Sequence, residues 1–476
     1  METRDIMETG VSVKKMEKPH YMNIVYFAAK VLFAMLTLCE LYYFSAFLTD
    51  SALLSAGLVA IILSVTSTVD LIVSFFLGTI MEIIHLPWGK YRSWLLICPP
   101  LVTITHIFMF SKIGSNDTVS AVIIVAGFII SHLFWSIGEA ALNAMPLVMT
   151  DDLEQRAGLS VWGGRGSMAN TLIFGFLAAP LIGFFNKTTG SSVLGYCLTG
   201  VVFSIIYWIG FWWLYYETKD CEETSKDVAN SSKKRETNLL PAVKSVFTNR
   251  HLIAMVIDIA CTFCYMILQS SSMYYFFTYA LGGGSLFGYM GMFISSISIV
   301  KLVGSILVPW YLKIFKGNKR YVYLLGFIGY AIFSLIAYVI NASPIVTLVL
   351  VLIGHFFGCT SLAMQLGLFQ DCAVYSEYKS GKDVKGFVMA LMNMPVKIGI
   401  LIKNSLISST LVGIGYSAVA TDTSAYGPAF YKLFLFTPAI ICIIAVVANL
   451  VLYGLNEEKV KEMQAEIKAR KEVKAA

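Results

Sequence analysis

Several ionisable side chains lie well inside long apolar stretches of the sequence. An ionised side chain at the centre of a bilayer costs about 2.5–3.5 kcal/mol on insertion scales, so it usually faces a partner or a watery cavity. Such side chains are often functional, because they bind ions, carry protons or hold a polar ligand. The six that lie deepest in these stretches are Lys30, Glu40, Asp70, Glu139, Lys301 and Lys397.

Polar residues accompany some of these charges at helical spacing. One stripe recurs at i, i+4, i+7 and i+11, and it comprises His132, Ser136, Glu139 and Asn143. Trp135 lies about one turn before Glu139, and a second polar face comprises Asn393, Lys397 and Asn404. Such a face lines a cavity or forms hydrogen bonds between helices. Because each face carries a charge, we favour a cavity.

Two further charges are interpreted differently. Asp258 lies about a turn and a half from the end of its apolar stretch, so we expect its carboxylate to snorkel to the interface. Lys403 follows Lys397 by one and a half turns and lies on another face of the same helix.

The composition predicts a polytopic membrane protein. The 476 residues are 57% hydrophobic and 13% charged, with a mean hydropathy of +0.73. An average soluble protein has about 25% charged residues. A helix needs about 20 apolar residues to cross a bilayer, and about twelve such runs are present. They lie near 23–48, 54–84, 93–111, 120–148, 166–185, 192–216, 252–280, 287–312, 321–341, 344–368, 388–413 and 430–454.

A polar stretch divides these runs into two sets of six, which is the plan of the major facilitator fold. We expect an all-α protein made of two six-helix bundles. The predicted segments are an N-terminal segment 1–22, a first bundle 23–217, a central loop 218–250, a second bundle 251–454 and a charged tail 455–476.

The distribution of charge predicts topology and partners. Lysines and arginines concentrate in alternate loops, so both termini are expected in the cytoplasm of a multi-pass plasma-membrane protein. The net charge of +6 is spread over these loops, which disfavours a nucleic-acid partner. The lipid bilayer is the expected surrounding.

Two loop-proximal segments carry family-like motifs. The segment after the tenth run contains Asp371, Tyr375, Glu377, Lys379 and Gly381, followed by Lys397-x-Gly399 in the next span. A second segment follows the second run and contains Trp88, Gly89, Lys90 and Arg92. Together they resemble the signatures of the glycoside–pentoside–hexuronide:cation symporters, the melibiose permease family, over essentially the whole membrane region.

The resemblance implies that Na⁺, H⁺ or Li⁺ binds acidic side chains between the second, fourth and eleventh spans, beside a sugar. Asp70 matches the first cation-site aspartate, Lys397 the lysine that links the two sites, and Arg165 the arginine at the start of the fifth span. The second aspartate of the family is replaced by Ser74, and Glu139 is expected to supply the missing charge.

The predicted function is cation-coupled symport of a glycoside or related sugar by alternating access. The alternative is a carrier of a non-sugar solute, such as an organic anion, a drug-like molecule or a lysolipid. The expected coupling residues are Asp70, Ser74, Glu139 and Lys397. The expected substrate-binding residues are Lys30, Glu40, Trp135, Asn143, Arg165, Lys301 and Asn393.

The sequence also bears on enzyme activity, cofactors and the identity of the coupling ion. No nucleophile, metal cluster or phosphate loop is present in the sequence, so we expect no enzyme activity and no cofactor beyond the coupling ion, and a protein that acts as a monomer. Since Ser74 removes a hard anionic oxygen, H⁺ is favoured over Na⁺, with Asp70 or Glu139 as its carrier. Lys397, expected about two and a half turns into its helix, should pair with Asp70 or Glu139.

Overall fold

The structure is a computed structural model. It describes residues 16–84, 86–89, 91–150, 152–219, 221, 249–281, 288–341, 343–381, 388 and 391–475. Lys90 and most of the predicted central loop lie outside these residues, so the predicted segment boundaries stay predictions.

The described chain is helical, and its long helices follow the predicted apolar runs. The first six are α1 (Pro19–Ala46), α2 (Ala56–Ile83), α3 (Arg92–Met109), α4 (Asp117–Met149), α5 (Leu153–Thr189) and α6 (Ser192–Glu217). The next six are α7 (Arg250–Tyr275), α8 (Met290–Ile306), α9 (Lys319–Ile340), α10 (Pro344–Ser380), α11 (Asn393–Gly413) and α12 (Tyr426–Leu452). A last helix, α13 (Glu457–Ala475), is charged.

Within the described residues, eleven helices are long and apolar enough to cross a membrane. The twelfth span is α8, which continues after a 43° bend as the short helix Val308–Ile314. The predicted all-α membrane protein with about twelve spans is therefore confirmed.

Local sequence sets where several helices begin. Asn116, Asn249 and Asn318 precede α4, α7 and α9, and each side chain accepts a hydrogen bond from a backbone N–H of the first turn. These caps satisfy donors that have no partner inside the helix. At the other end of α10, Gly381 adopts a φ of +67°, which is accessible to glycine at little cost.

Helix packing repeats between the two halves of the chain. In the first half α1 packs on α5 and α6, α3 packs on α4 and α6, and α2 packs on α4. The equivalent pairs in the second half, α7 with α11 and α12, α9 with α10 and α12, and α8 with α10, also pack together. The halves meet where α2 packs on α11, α5 on α8 and α1 on α7.

The α5–α8 contact requires glycine on both sides. A Cβ atom added to Gly175 would lie 2.7 Å from the Gly291 carbonyl oxygen, and one added to Gly291 would lie still closer to the Gly175 oxygen. The backbones of the two halves therefore touch at this point, as small residues allow in membrane helix pairs.

The first residues of α1 and the last residues of α12 lie on the same face of the helix assembly. Near that face Tyr21 at the start of α1 donates a hydrogen bond to Glu217 at the end of α6, and His251 at the start of α7 contacts the Leu452 carbonyl at the end of α12. We call this face the terminal face and the other the opposite face. On the opposite face α1 and α7 end in π-helical turns, Phe47–Ser51 and Phe276–Ala280.

Two helices extend beyond their predicted apolar runs. The tenth run was expected to end near 368, but α10 continues to Ser380, so Asp371, Tyr375, Glu377 and Lys379 lie on a helix and not in a loop. Similarly α5 begins at Leu153, which places Arg165 about three turns into the helix and not at its start. Hydropathy detects the part of a helix that crosses lipid and misses a solvated extension.

Candidate functional site

A salt bridge joins the two halves of the molecule between α2 and α11. Lys397 Nζ donates a 2.7 Å hydrogen bond to Asp70 Oδ2. The two side chains are 15% and 7% exposed, respectively. The predicted pairing of Lys397 with Asp70 is confirmed, whereas the roles of both residues in coupling stay predictions.

The depth expected for Lys397 was counted from Gly386–Phe387, which lie outside the described residues. Helix α11 begins at Asn393, so Lys397 lies about one turn into that helix. The buried position comes from the contact with Asp70, which lies near the middle of α2. The pair also lies within the α2–α11 contact, and Asp70 and His132 line a small cavity between α2 and α4.

Ser74 does not take over the chemistry of a second carboxylate. Its hydroxyl lies one turn after Asp70 and donates a 2.7 Å hydrogen bond to the Leu71 carbonyl of its own helix. This bond is common for serine in apolar helices. Asp70 therefore has no acidic neighbour on α2 at that position.

His132 belongs to the site, although its place on a polar stripe gave it no predicted role. Its Nε2 atom lies 2.7 Å from Glu40 Oε2, and its Nδ1 atom lies 3.5 Å from Asp70 Oδ1. The ring stacks on Phe128, with centroids 4.1 Å apart. We call Glu40, Asp70, His132 and Lys397 the charge cluster. Its members come from α1, α2, α4 and α11.

Glu40 has a different environment from the one expected for a substrate ligand. It was predicted to bind substrate, and its carboxylate contacts His132. The signal for His132 was present in the sequence, since it begins the stripe that includes Glu139. Sequence spacing could not show that α1 brings a carboxylate to the same ring.

A second group of predicted residues lies between α1 and α4. Lys30 Nζ donates a hydrogen bond to Asn143 Oδ1 and lies 5.8 Å from the centre of the Tyr26 ring. Glu139, one turn before Asn143, is half-buried and makes no hydrogen bond or ion pair with a described residue. An ammonium and an uncommitted carboxylate are therefore present on neighbouring helices.

Trp135 extends this group along α4. Its ring stacks on Phe33 of α1, with centroids 5.1 Å apart and an angle of 14° between the planes. Its Nε1 atom is buried and makes no hydrogen bond with a described residue. We call Lys30, Trp135, Glu139 and Asn143 the polar face. The indole N–H and the Glu139 carboxylate are therefore two polar groups that no described residue binds.

Three predicted substrate residues do not join the polar face. Arg165 is exposed and lies over the Trp162 ring of its own helix at 5.0 Å. Lys301 on α8 is half-buried, with no hydrogen bond or ion pair to a described residue. Asn393 is exposed at the first residue of α11. Their roles in binding stay predictions.

Other charges in the spans also have defined surroundings. Asp258 was expected to snorkel, but it is fully buried and accepts a 2.7 Å hydrogen bond from Asn449 Nδ2. That expectation is wrong, because α12 brings an amide to the carboxylate. Lys403 is buried, and its ammonium lies 3.4 Å from Ser271 Oγ. Asn404 donates to the Leu63 carbonyl of α2 at 3.2 Å, which adds a second contact between α11 and α2.

The two halves are also connected on the opposite face. Tyr416, which follows α11, donates a 2.5 Å hydrogen bond to Asp50 Oδ1 at the end of α1. The Tyr279 hydroxyl lies 2.8 Å from that of Tyr416, and the Thr49 hydroxyl lies 2.9 Å from that of Tyr275. Burial, together with the Asp50 carboxylate, raises the pKa of Tyr416, so its hydroxyl stays a donor at neutral pH. We call these contacts the opposite-face latch.

The family-like motifs lie on the terminal face and hold helix ends together. Arg92 donates a 2.9 Å hydrogen bond to the Tyr215 carbonyl and stacks on that ring. Asp371 pairs with Lys319 at 2.9 Å. The other motif residues differ in their exposure: Glu377 is buried, Tyr375 packs on the His251 ring, and Trp88 and Lys379 are exposed.

One motif glycine adopts a backbone conformation that favours glycine. Gly89, in the turn between α2 and α3, has a φ of +109°, a value that other residues rarely adopt. Lys90, the next predicted motif residue, lies outside the described residues. Within the described chain, the loop-proximal parts of the motifs therefore hold the ends of helices, whereas Lys397 of the same signature belongs to the charge cluster.

Known proteins share both the sequence and the fold. A glucuronide carrier protein homolog of Escherichia coli is 25% identical over 451 residues, which cover 93% of each chain. An isoprimeverose transporter of Lactiplantibacillus pentosus is 24% identical over 385 residues, which cover 79% of this chain and 76% of that protein. The crystal structure of the nucleoside transporter NupG superposes with a TM-score of 0.60 at 14% identity, and the match covers 92% of this chain and 100% of that one.

The resemblance to sugar:cation symporters is thereby confirmed. The profile of MFS/sugar transport proteins matches residues 25–457, which include the charge cluster, the polar face and both motif segments. The family match gives the major facilitator fold, and the superposition on NupG agrees with it. The chain belongs to the MFS/sugar transport protein family and is a multi-pass membrane transporter of that fold.

Proposed function

We propose that this transporter is a proton-coupled symporter of a glycoside or related sugar in the plasma membrane, acting as a monomer with both termini in the cytoplasm. The observation that carries the proposal is the Lys397–Asp70 pair, which connects one half of the molecule to the other. The concentration of basic residues in alternate loops supports the orientation.

The pair supplies a physical link between binding and movement. Asp70 can be neutralised by Lys397, by His132 or by a proton, and each requires the same carboxylate. When another group or a proton neutralises Asp70, its attraction to the Lys397 ammonium is reduced. The α2–α11 contact then weakens, and the two halves can move relative to each other. Alternating access in this fold consists largely of such movement around a central site.

The choice of H⁺ over Na⁺ follows from the ligands near Asp70. A sodium ion prefers several hard oxygen atoms. The Ser74 hydroxyl donates to a backbone carbonyl, and both carboxylates of the charge cluster already have nitrogen partners. A proton needs only one basic atom, so these residues suit it better.

The polar face is the proposed substrate site. Sugar hydroxyls can donate hydrogen bonds to the Glu139 carboxylate and accept them from Lys30 and from the indole N–H of Trp135. These residues lie within the first six helices, on α1 and α4. The site is therefore next to the charge cluster, since Glu139 and His132 lie on the same stripe of α4.

One observation favours an anionic solute as a second candidate. Lys30 contacts an amide and makes no ion pair with a described carboxylate, so its charge is available to a carboxylate or sulfonate. One relative is named as a glucuronide carrier homolog, and a glucuronide is a sugar that carries a carboxylate. This name supports an acidic sugar as the substrate. An organic anion without a sugar ring would use the same ammonium.

The test is uptake into proteoliposomes of radiolabelled solutes in matched pairs, methyl glucoside with methyl glucuronide and xylose with a short hydroxyalkyl sulfonate. Proton-dependent uptake of a glycoside or pentoside supports the proposal. Uptake of the sulfonate alone supports the second candidate, and uptake of none of a broad sugar panel contradicts sugar transport.

Two lysine variants separate the candidates further. If Lys30 binds an anionic group, Lys30→Gln raises the KM for the glucuronide by ~10-fold or more and leaves the neutral glucoside nearly unchanged, since loss of one charged contact is worth about 1.5–3 kcal/mol. Lys187→Gln is the matched control, because Lys187 is exposed in the last turn of α5 and has no predicted role in binding. Equal effects of both variants would contradict the assignment of Lys30.

A further inference from the structure

We propose that the His132 imidazole is the group that takes up and releases the transported proton, and that its protonation replaces Lys397 as the partner of Asp70. This inference rests on the proposed proton-coupled sugar transport and assigns the proton to one ring nitrogen. Asp70, one of the two carriers expected from sequence, then pairs with the protonated ring, and Glu139, the other, does not hold the proton.

The two nitrogens of His132 have different surroundings. Nε2 lies 2.7 Å from Glu40 Oε2, which is a normal hydrogen-bond distance for a ring N–H donating to a carboxylate. Nδ1 is buried, makes no hydrogen bond, and lies 3.5 Å from Asp70 Oδ1. Nε2 can donate to Glu40 whether the ring is neutral or protonated. Only the protonated ring also carries a hydrogen on Nδ1, the atom that faces Asp70.

A proton added at Nδ1 would create a contact with Asp70 and would leave the bond between His132 and Glu40 in place. The imidazolium has two N–H groups, so it can donate to Glu40 and to Asp70 together. By contrast, a proton on Asp70 would weaken its bond with Lys397, and a proton on Glu40 would weaken its bond with His132. His132 is therefore the member of the cluster whose protonation is favoured by the existing geometry.

Protonation of His132 also changes what Lys397 does. Lys397 holds Oδ2 of Asp70, while Nδ1 of His132 faces Oδ1. Once the imidazolium neutralises Asp70 from within the first half, the ammonium from the second half is no longer needed there. The α2–α11 contact is then weakened, which couples one proton to the relative movement of the halves.

Other charged groups near the His132 ring also affect whether the ring is protonated. From the described parts of the packed helices, the groups that interact electrostatically with members of the cluster are Lys403 on α11, His106 on α3 and Glu139 on α4. His106 is buried, with its Nε2 lacking a described hydrogen-bond partner. It has no described carboxylate within ion-pair distance, so it does not share the geometry of His132.

The first experiment compares His132→Gln with His106→Gln in proteoliposomes, using a sugar that the wild type accumulates. His132→Gln should lose accumulation driven by a pH gradient and the substrate-linked uptake of protons. It should retain exchange of labelled for unlabelled sugar at equal concentrations, to within ~3-fold. His106→Gln should keep both activities. Proton-driven accumulation by His132→Gln at the wild-type level would overturn the proposal.

A second variant keeps the proposal open to test if His132→Gln does not reach the membrane. Glu40→Gln keeps the shape of the side chain and removes the charge that stabilises the imidazolium, so the pH of half-maximal uptake should fall by about one unit. An unchanged pH profile would overturn the assignment. Absence of any sugar uptake by the wild type would instead contradict the proposed function itself.

Discussion

Asp70 and Asp258 are both buried aspartates in apolar helices, yet they have opposite kinds of partner. Asp70 on α2 binds the ammonium of Lys397 on α11, in the other half of the molecule. Asp258 on α7 binds the neutral amide of Asn449 on α12, in the same half. Since the halves move relative to each other in this fold, of these two contacts only the one made by Asp70 would change with that movement. We therefore expect a coupling role for Asp70 and a packing role for Asp258.

The same distinction extends to other polar contacts. The Asp50–Tyr416 and Asn404–Leu63 hydrogen bonds join the two halves, whereas the Lys319–Asp371 salt bridge lies within the second half. We expect substitutions at contacts between halves to change transport with little effect on folding. Substitutions within one half should affect stability with little effect on transport.

The largest effect is expected for Lys397→Ala. The variant should lose concentrative uptake completely while its membrane expression stays near the wild-type level, because Asp70 keeps His132 as a neighbour. Uptake and surface expression measured in the same cells check this. Lys319→Ala, which breaks the salt bridge with Asp371 within one half, is the matched control and should keep accumulation.

Two results would break this part of the comparison. Normal accumulation by Lys397→Ala would remove Lys397 from the mechanism. Loss of expression of Lys397→Ala, with normal expression of Lys319→Ala, would show that the contact between halves is structural, as a buried ion pair can be when one partner is removed.

An intermediate effect is expected for Tyr416→Phe in the opposite-face latch. The substitution removes a hydrogen bond to a charged acceptor, worth about 1.5–3 kcal/mol, so the population with an open opposite face should rise about tenfold or more. Spin labels on Leu53→Cys and Val419→Cys, which are 49% and 74% exposed in the parent protein, would report this as longer distances, in a background where reactive native cysteines are replaced.

Tyr426→Phe is the control for the latch, because the Tyr426 hydroxyl bonds the backbone of Ser417 nearby in sequence and not the other half. Its distance distribution should match that of the parent protein. An unchanged distribution in Tyr416→Phe would show that the hydrogen bond with Asp50 does not hold the face closed.

The smallest effect on transport is expected for Asp258→Asn. One carboxylate oxygen accepts from Asn449 and the other has no described partner, so an amide of the same shape can keep the contact. Hydrogen bonds between membrane helices average about 0.6 kcal/mol, and the change in stability should be of that order. Sugar uptake and thermal unfolding in detergent measure the two effects. A large loss of uptake with unchanged stability would contradict the packing role.

The spans are predictable from the sequence, and so is one contact of the charge cluster. Hydropathy identifies helices that must cross lipid, and a charge at the position of Lys397 requires a partner whatever the fold. Asp70 was an available partner because the family resemblance placed it between the same spans. The pair was therefore predictable from the cost of burying an ammonium.

The contacts that escaped prediction depend on neighbours that are distant in sequence. His132 looked like one polar residue among several on α4, and only packing places Glu40 of α1 against it. Asp258 looked able to reach solvent, and only α12 supplies Asn449. The length of α10 was missed because its last turns, from Asp371 to Ser380, carry charges that do not resemble a membrane span.

The ion that drives uptake provides the most direct test of the proposed coupling. In proteoliposomes of the wild type, an accumulated sugar can be measured under an imposed pH gradient without Na⁺, and under an imposed Na⁺ gradient at uniform pH. We predict accumulation with the pH gradient, and none above equilibrium with the Na⁺ gradient. Accumulation that requires Na⁺ and ignores the pH gradient would contradict proton coupling through His132, Asp70 and Lys397.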